Sequence, residues 1–433
     1  MFKVFDIRFR FYHWTLLGLL LGFLFFMSNT SLAIDNPRVE PEVNIQNNKT
    51  DIQQKIESFQ RQLDPECERA KLELNFLEKS PSQLQDIQEE LCKIQPDSEE
   101  CFFNDDITKL AEKFLEELDP LTECESILAL SIVKIRELQL REALLKRHEK
   151  SLLLPPIATW SSPTLGAYTI PINGGSEYVV AFNRATFVSL LDLIKTFSSI
   201  IPIDNVGSNV RISVVQSDME KLLESQPQLI VRVAILLANI VSGHGDQVNF
   251  ETLALTKNQL LLSTRALSAV ELFMLAHEYG HVYYQHSFPG TDETIDSKKY
   301  RSFSLAQEKE ILADIYGHKL LLDFAFEEYQ SFPIDALIIK DGGKIFLAIE
   351  RLLKNARDTV GVEFSQENRY PSTEQRLQFL KEVDDNIPTL VPEFSQSNLG
   401  DGFVIAADVI WQRLRDNWPL FYQELQKLRE ENE

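Results

Sequence analysis

The chain contains the sequence HEYGH at His277–His281, inside the almost uncharged segment Leu272–Tyr284. Residues four apart share one face of a helix, so both imidazoles can reach one metal ion. Glu278 points toward the same place, where it can deprotonate a water bound to that metal. The uncharged flanks are typical of a helix buried in the middle of a fold. We therefore predict a central metal-binding helix; the alternative is a structural helix that carries two histidines by chance.

The residues before this segment predict how the helix begins. Ser268 and Glu271 have the spacing of a capping box, which places the helix N-terminus at Ser268. Val248–Leu255 and Gln259–Thr264 are short apolar-rich segments separated by Thr-Lys-Asn, and they predict a β-hairpin. Its edge strand, beside the metal helix, would give an extended peptide a strand to pair with.

A third metal ligand is expected downstream, because catalytic zinc usually has three protein ligands and leaves one position for water. The candidates after His281 are His286, Glu308, Glu310, Asp314 and His318. Glu310 and Asp314 fit best, since they lie four residues apart on one face of the amphipathic segment Leu305–Phe324. Glu310 could then bind the metal while Asp314 accepts a hydrogen bond from a ligand histidine. The alternative is that both are solvated helix carboxylates.

Two motifs resemble a known family. Leu275–Val282 followed by Glu310-x-x-Ala-Asp314-x-x-Gly317 is similar to the gluzincin zinc metallopeptidases of the HtpX, Oma and BepA-like type, which are related to the CAAX prenyl proteases. A later segment, Tyr370-Pro-Ser-Thr-Glu-Gln-Arg376-Leu, resembles the closing motif of that family, with Tyr370 in place of its usual histidine. The interval from His281 to Glu310 is also short for many members. The resemblance covers about residues 248–380.

The resemblance implies an α+β, mostly helical zincin-like domain with one zinc ion per chain. It implies that His277, His281 and Glu310 bind the zinc and that Glu278 is the general base. Arg376 becomes a candidate for steadying the ligand glutamate or the oxyanion. Tyrosines near the site could also donate to an oxyanion, and the sequence does not choose among Tyr283, Tyr284 and Tyr316.

Composition limits the class of protein. A chain of 433 residues is long enough for two or three domains. Its 44% hydrophobic and 25% charged residues are ordinary for a soluble globular protein. The net charge of −22 argues against nucleic acid and anionic membrane surfaces as partners. The partners that the peptidase resemblance implies are protein or peptide substrates.

Residues 1–33 have the pattern of a targeting segment. Basic residues precede the apolar run Trp14–Met27, and Ser31 and Ala33 form a small-x-small cleavage site. The run is shorter than the ~20 residues that comfortably span a bilayer. We expect a cleaved signal peptide and a periplasmic or extracellular protein, comparable to soluble exported members of the family. An uncleaved segment that anchors the protein to a membrane is the alternative.

All four cysteines fall in one window, at positions 67, 92, 101 and 124. An even, clustered set in an exported chain predicts two disulfides. We expect Cys67–Cys92 with Cys101–Cys124, because the turn at Lys79–Ser82 would bring the first pair face to face in a helical hairpin.

The segments around these cysteines have helix-type apolar spacing. The predicted helices are Ile52–Leu77, Gln83–Ile94, Asp106–Leu118 and Cys124–Glu149. After a linker over 34–50, they predict an all-α, disulfide-stapled domain over 51–150. Three roles stay open for this domain: a module that recruits substrates or partners, an autoinhibitory cap, or a buttress.

The catalytic domain is expected over 151–433. Ser151–Gly175, rich in proline and glycine, predicts a linker or irregular crossing. The segments that follow predict a strand, a helix, a second helix and a terminal helical pair. Their ranges are Glu177–Phe182, Ala185–Phe197, Lys344–Lys354 and Val404–Glu430.

These patterns predict an exported zinc-dependent endopeptidase, with envelope protein quality control as its natural role. Two other classes compete with it. One is a catalytically silent zincin-fold scaffold that binds protein partners through its helical N-terminal domain. The other is a zinc hydrolase that acts on a non-peptide amide.

Overall fold

The structure is a computed structural model, and it is α+β and mostly helical, as the sequence predicts. It describes residues 53–58, 60–61, 67, 70–71, 122, 124–147, 154–160, 165–172, 177–206, 209–245, 253, 255–286, 303–329, 333–362, 370–386 and 399–431. The predicted signal peptide and the linker after it lie outside these residues.

The chain divides into two compact units. Unit 1 takes the described residues within Met1–Lys134, Ile157–Ser162 and Phe182–Arg184, and unit 2 takes those within Ile135–Pro156, Pro163–Ala181 and Ala185–Glu433.

Eleven helices are described, and they are numbered here in chain order. They are α1 Ile127–Arg147, α2 Arg184–Ile200, α3 Gln216–Glu224, α4 Pro227–Val241, α5 Lys257–His286, α6 Leu305–Glu328, α7 Pro333–Lys340, α8 Gly342–Val360, α9 Thr373–Asp385, α10 Leu399–Leu414 and α11 Trp418–Glu430. The predicted helices after the central strand and at Lys344–Lys354 correspond to α2 and α8. The predicted terminal pair corresponds to α10 and α11, and it is held by the buried Trp418, whose Nε1 donates to the carbonyl of Ala356 at 2.8 Å.

Five strands are described. β1 Ile157–Trp160, β2 Ala167–Ile172 and β3 Glu177–Asn183 form one sheet in the order β1-β3-β2. β4 Ile203–Val206 and β5 Asn209–Ile212 form an antiparallel pair. β3 confirms the predicted strand.

The prediction of a linker over Ser151–Gly175 is wrong, because β1 and β2 lie within it. Among the described strands, β2 lies at an edge of its sheet. This position tolerates Pro171, since proline cannot donate to a neighbouring strand.

The metal helix α5 is thirty residues long and begins well before the predicted start. Thr256 and Gln259 make the reciprocal hydrogen bonds of a capping box, at 3.0 and 3.3 Å, immediately before it. The Thr-Lys-Asn stretch, predicted to be a hairpin turn, therefore begins a helix, and Gln259–Thr264 is helical.

The predicted capping box at Ser268 and Glu271 is also wrong, because both residues lie in the middle of α5. Arg136 of α1 donates to Glu271 Oε2 through Nε at 2.8 Å and Nη2 at 2.6 Å. Its Nη2 also donates to Ser268 Oγ at 2.9 Å. A serine and a glutamate three residues apart share one helix face, so the capping pattern is indistinguishable in sequence from an interior polar contact.

Helix α5 is buried in the fold. By length and composition it could cross a membrane, and it is the one such helix in the described part of the chain. However, 78% of its apolar window is buried inside the protein, as in the core helix of a soluble protein.

Helix α6 crosses α5 closely, and two glycines make this possible. A Cβ on Gly317 would lie 2.9 Å from the backbone nitrogen of His277, and one on Gly280 would lie 2.8 Å from Ala313 Cα. Real side chains do not approach so closely. The small residues within the two sequence motifs therefore bring the site-bearing faces of the helices together.

Unit 1 contains a disulfide between Cys67 and Cys124. The predicted pairs Cys67–Cys92 and Cys101–Cys124 are therefore wrong. The prediction considered only closure of a local hairpin, whereas the observed bond joins residues 57 apart that pack with Ala70 in a buried cluster. Residues 53–58, 60–61 and 70–71 are helical and α1 covers most of the fourth predicted helix. The second and third predicted helices, with Cys92 and Cys101, lie outside the described residues.

Candidate metal centre

Three side chains from two crossing helices form a group that could hold a metal ion. His277 and His281 lie one turn apart on α5, and Glu310 lies on α6. Glu310 Oε2 is 3.4 Å from His277 Nε2 and 3.6 Å from His281 Nε2. One ligand atom from each residue lies within 4.8 Å of the other two. The structure thus brings together the three residues that the sequence singles out as ligands.

The spacing and chemistry of this group fit a tetrahedral metal site. Metal–ligand bonds of about 2.0–2.1 Å in a tetrahedron place ligand atoms roughly 3.3 Å apart. The two distances from Glu310 Oε2 to the histidine Nε2 atoms, 3.4 and 3.6 Å, are close to this value. Glu310 Oε2 is buried and has no hydrogen-bond donor among the residues that the structure describes. A buried carboxylate oxygen without a donor is costly unless a cation completes it.

Asp314 fixes the orientation of His277. Its Oδ1 accepts a hydrogen bond from His277 Nδ1 at 2.9 Å. A histidine that donates from Nδ1 leaves its Nε2 free to bind a metal, and here Nε2 faces Glu310. Asp314 lies one turn beyond Glu310 on α6, as its spacing predicts.

Arg376 of α9 binds Asp314, the residue that orients His277. It donates to Asp314 through Nε and Nη2, and it donates through Nη1 to Glu350 of α8. Arg376 and Asp314 are almost completely buried, at 4% and 1% exposure. Arg376 therefore holds the residue that orients His277. The sequence suggested only a contact with the ligand glutamate or the oxyanion, and it did not indicate Glu350.

The electrostatics of the group favour a positive charge between the carboxylates. Burial lowers the pKa of His277, but its hydrogen bond to Asp314 and the adjacent Glu310 carboxylate outweigh this effect and raise the pKa to about 10. Burial raises the pKa of Glu310, while the adjacent imidazoles of His277 and His281 bring it well below its usual range. Two ionised carboxylates around a histidine pair attract either a proton on the imidazole or a metal cation in its place.

Glu278 lies beside the ligand group and contacts the edge strand β2. Thr169 Oγ1 lies 2.8 Å from Glu278 Oε2 and 3.1 Å from the main-chain oxygen of the same residue. The hydroxyl thus holds the carboxylate in place. The sequence analysis missed Thr169, although Tyr168-Thr169-Ile170 is a run of aromatic and β-branched residues that favours a strand.

Glu278 and His277 line a cleft of about 530 Å³. Edge-strand residues, one face of α8 and the start of α9 form most of its walls. The residues that line it include Leu165, Ala167, Leu190, Met274, Phe346, Ile349, Glu350, Leu353, Tyr370 and Arg376.

Tyr370 is the residue at which the sequence departs from the family motif. It lines the cleft, and its main-chain oxygen accepts from Gln307 Nε2 at 3.4 Å. Burial, and then the nearby charges of Glu310 and Glu350, raise the pKa of its phenol above the usual range. The side chain is therefore a neutral hydroxyl in the same cleft.

Other candidate residues lie elsewhere. His318 hydrogen-bonds through Nε2 to Asp384 at 2.8 Å, and Asp384 also pairs with Lys344 at 2.6 Å. Tyr283, Tyr284 and Tyr316 form an aromatic cluster, with ring centroids 5.1–6.2 Å apart. None of these four is among the residues that line the described cleft.

No family model, curated protein or solved structure matches this chain.

Proposed function

We propose that this protein is a zinc-dependent endopeptidase with a zincin-like catalytic domain, related to the gluzincins that its motifs resemble. The observation that carries the proposal is one arrangement: a group of three metal-binding side chains beside Glu278, a carboxylate that opens into a cleft. Structural metal sites usually have four protein ligands, whereas catalytic zinc sites use three and keep one position open. Two histidines and a glutamate form a known catalytic set.

His277, His281 and Glu310 would hold the zinc ion. When bound, zinc supplies Lewis acidity, which polarises a carbonyl and lowers the pKa of a coordinated water. Glu278 accepts a proton from the attacking water and returns it to the leaving amine. The hydrogen bond from Thr169 keeps the Glu278 carboxylate aimed into the cleft during both transfers. Asp314, held by Arg376, keeps His277 in the tautomer that a ligand needs.

The edge strand β2 supports a peptide as the substrate. Its first residues line the cleft, and β3 is its one neighbouring strand in the described part of the chain. An extended peptide can pair with such an edge while its side chains enter neighbouring pockets. This arrangement favours a peptide over a small non-peptide amide.

We also propose that the N-terminal segment directs export of the protein. The exported protein would then act in the quality control of envelope proteins. The sequence pattern of residues 1–33 supports export. The alternative remains a silent scaffold that binds partners, and catalysis is what separates it from the proposal.

The test is to measure zinc content and cleavage of unfolded casein for the purified protein and for Glu278→Gln. We expect about one zinc per chain in both proteins and cleavage by the wild type alone. A chelator should abolish cleavage and added zinc should restore it. Glu308→Gln is the matched control, because Glu308 lies on α6 but outside the ligand group, and it should cleave like the wild type.

Zinc binding without cleavage by the wild type would support the scaffold. Absence of zinc from the purified protein, together with no uptake of added zinc, would show that the ligand group is not a zinc site.

A further inference from the structure

One face of α8 forms an apolar wall of the cleft. Phe346, Ile349 and Leu353 recur at intervals of three and four residues, so they lie on one side of the helix. Glu350 lies on the same face and binds Arg376. Lys354 and Arg357 of the same helix also line the cleft, so the apolar side chains form one part of this wall and charged side chains form the rest.

Residues from three other elements complete the apolar wall. Met274 lies on α5 one turn before Glu278, Leu190 lies on α2, and Leu165 precedes β2. Leu190 and Met274 are only 2% and 4% exposed, so they form a fixed floor rather than a mobile rim.

This apolar region is next to the reacting groups. The ring of Phe346 lies 5.7 Å from that of Phe273, which in turn lies 6.1 Å from the imidazole of His277. A peptide with its scissile carbonyl at Glu278 would thus place a neighbouring side chain against Met274, Phe346 and Ile349. Pockets for small ligands have volumes of about 300–1,000 Å³. The cleft, at about 530 Å³, has room for a large side chain and adjoining backbone.

We propose that the cleft is a specificity subsite that selects a large apolar side chain, such as leucine, methionine or phenylalanine, next to the scissile bond. This inference rests on the endopeptidase function proposed above. It defines the substrate class as exposed apolar segments, which folded proteins keep buried and unfolded proteins present.

Ala167 offers a way to fill the subsite. Successive side chains of a strand point to opposite faces, so Ala167 points to the same side as Thr169, which contacts Glu278. Ala167 also lines the cleft and is only partly buried, so Ala167→Leu extends into the cleft and not into the core.

The experiment begins by mapping where the wild-type protein cleaves unfolded casein. A peptide around one mapped site is then synthesised with Gly, Ala, Leu, Phe or Asp at each residue flanking the bond. At one flanking position we expect kcat/KM to be at least about tenfold higher for Leu and Phe than for Gly and Asp. Ala167→Leu should lower kcat/KM for the Phe peptide by about tenfold or more and leave the Ala peptide much less affected.

The ratios of kcat/KM between peptides are measured on one enzyme preparation, so they do not depend on the fraction of folded enzyme. A second variant, Ile349→Ala, enlarges the subsite. It should reduce the ratio of kcat/KM for the Leu peptide to kcat/KM for the Ala peptide. Zinc content and thermal melting show whether each variant is folded.

Equal cleavage of all the peptides by an active wild-type protein overturns the subsite and leaves the peptidase intact. A preference that neither Ala167→Leu nor Ile349→Ala changes also overturns it, since the selectivity would then be set elsewhere. No zinc-dependent cleavage at all overturns both proposals.

Discussion

Arg376 donates hydrogen bonds to both carboxylate oxygens of Asp314, from Nε at 2.6 Å and from Nη2 at 2.8 Å. The pair links α9 to α6, and Asp314 passes the constraint to His277 on α5. Because both residues are buried, the charges are little screened by solvent. Arg376 can therefore affect metal binding without contacting the metal.

The first prediction concerns the two hydrogen bonds from Arg376 to Asp314. Arg376→Lys keeps the positive charge but cannot form two parallel hydrogen bonds, so Asp314 and His277 lose their fixed orientation. We expect affinity for zinc to fall about 10- to 100-fold, as on loss of other groups that orient metal ligands. Competition with a chelator measures it. Arg351→Lys is the control, because Arg351 pairs with Glu374 and Asp408 outside the site and should keep wild-type affinity.

The second prediction concerns the crossing of α5 and α6. Gly317→Ala places a methyl group against the His277 backbone. We expect the free energy of unfolding to fall by about 1–3 kcal/mol, the usual range for overpacking, and zinc affinity to fall as well. Gly402→Ala, whose added Cβ would meet a side-chain atom of Val214 at 2.8 Å, should affect stability alone. Denaturation and zinc titration of both variants test this, and unchanged zinc affinity in Gly317→Ala would contradict it.

The third prediction concerns the general base. Thr169→Val keeps the shape of the side chain but removes the hydroxyl that donates to Glu278. A hydrogen bond to a charged group contributes about 1.5–3 kcal/mol, so we expect kcat to fall about tenfold or more with zinc content unchanged. Thr169→Ser, which retains the hydroxyl, should recover most of the activity. Equal kcat for the valine variant and the wild type would show that the contact does not position the base.

The fourth prediction concerns Glu125 in unit 1. Burial raises its pKa from 4.5 to about 7, against the opposing hydrogen bonds from Thr159 and Gln60. Between these two values the folded protein holds a proton that the unfolded chain has released. The contribution of Glu125 to stability is therefore present below about pH 4.5 and is lost as the pH rises toward 7, by up to about 3 kcal/mol.

Urea denaturation at pH 5 and pH 8 measures this loss. Glu125→Gln cannot titrate, so the decrease in the free energy of unfolding between the two pH values should be smaller in the variant. The same decrease in both proteins would assign the pH dependence to other groups.

Local patterns predicted much of the metal centre. The four-residue spacings of His277 with His281 and of Glu310 with Asp314 placed each pair on one helix face, and the structure has them so. The contacts of Thr169, Glu350 and Arg376 could not be predicted in this way, because they join elements 26 to more than 100 residues apart. Tertiary packing decides such contacts.

Two of the wrong predictions share a physical reason. Ser268 and Glu271 have the spacing of a helix cap, yet they bind Arg136, which comes more than 130 residues earlier. The local pairing of Cys67 failed similarly, since its partner is 57 residues away. Short-range patterns indicate which residues share a face, but not what that face meets.

The contact of Arg136 with Glu271 limits how the chain can be shortened. Tyr279 depends on the same region, since its hydroxyl donates to Glu137 of α1 at 3.1 Å. A recombinant fragment that began at Ser151 would lack both partners, so Glu271 would lose its ion pair with Arg136 and Tyr279 would lose its hydrogen bond to Glu137. Removing one partner of a buried ion pair costs about 3–5 kcal/mol, a large part of the stability of a typical domain. A shortened protein that keeps the candidate metal centre intact therefore has to include α1, although this helix is far in sequence from His277, His281 and Glu310.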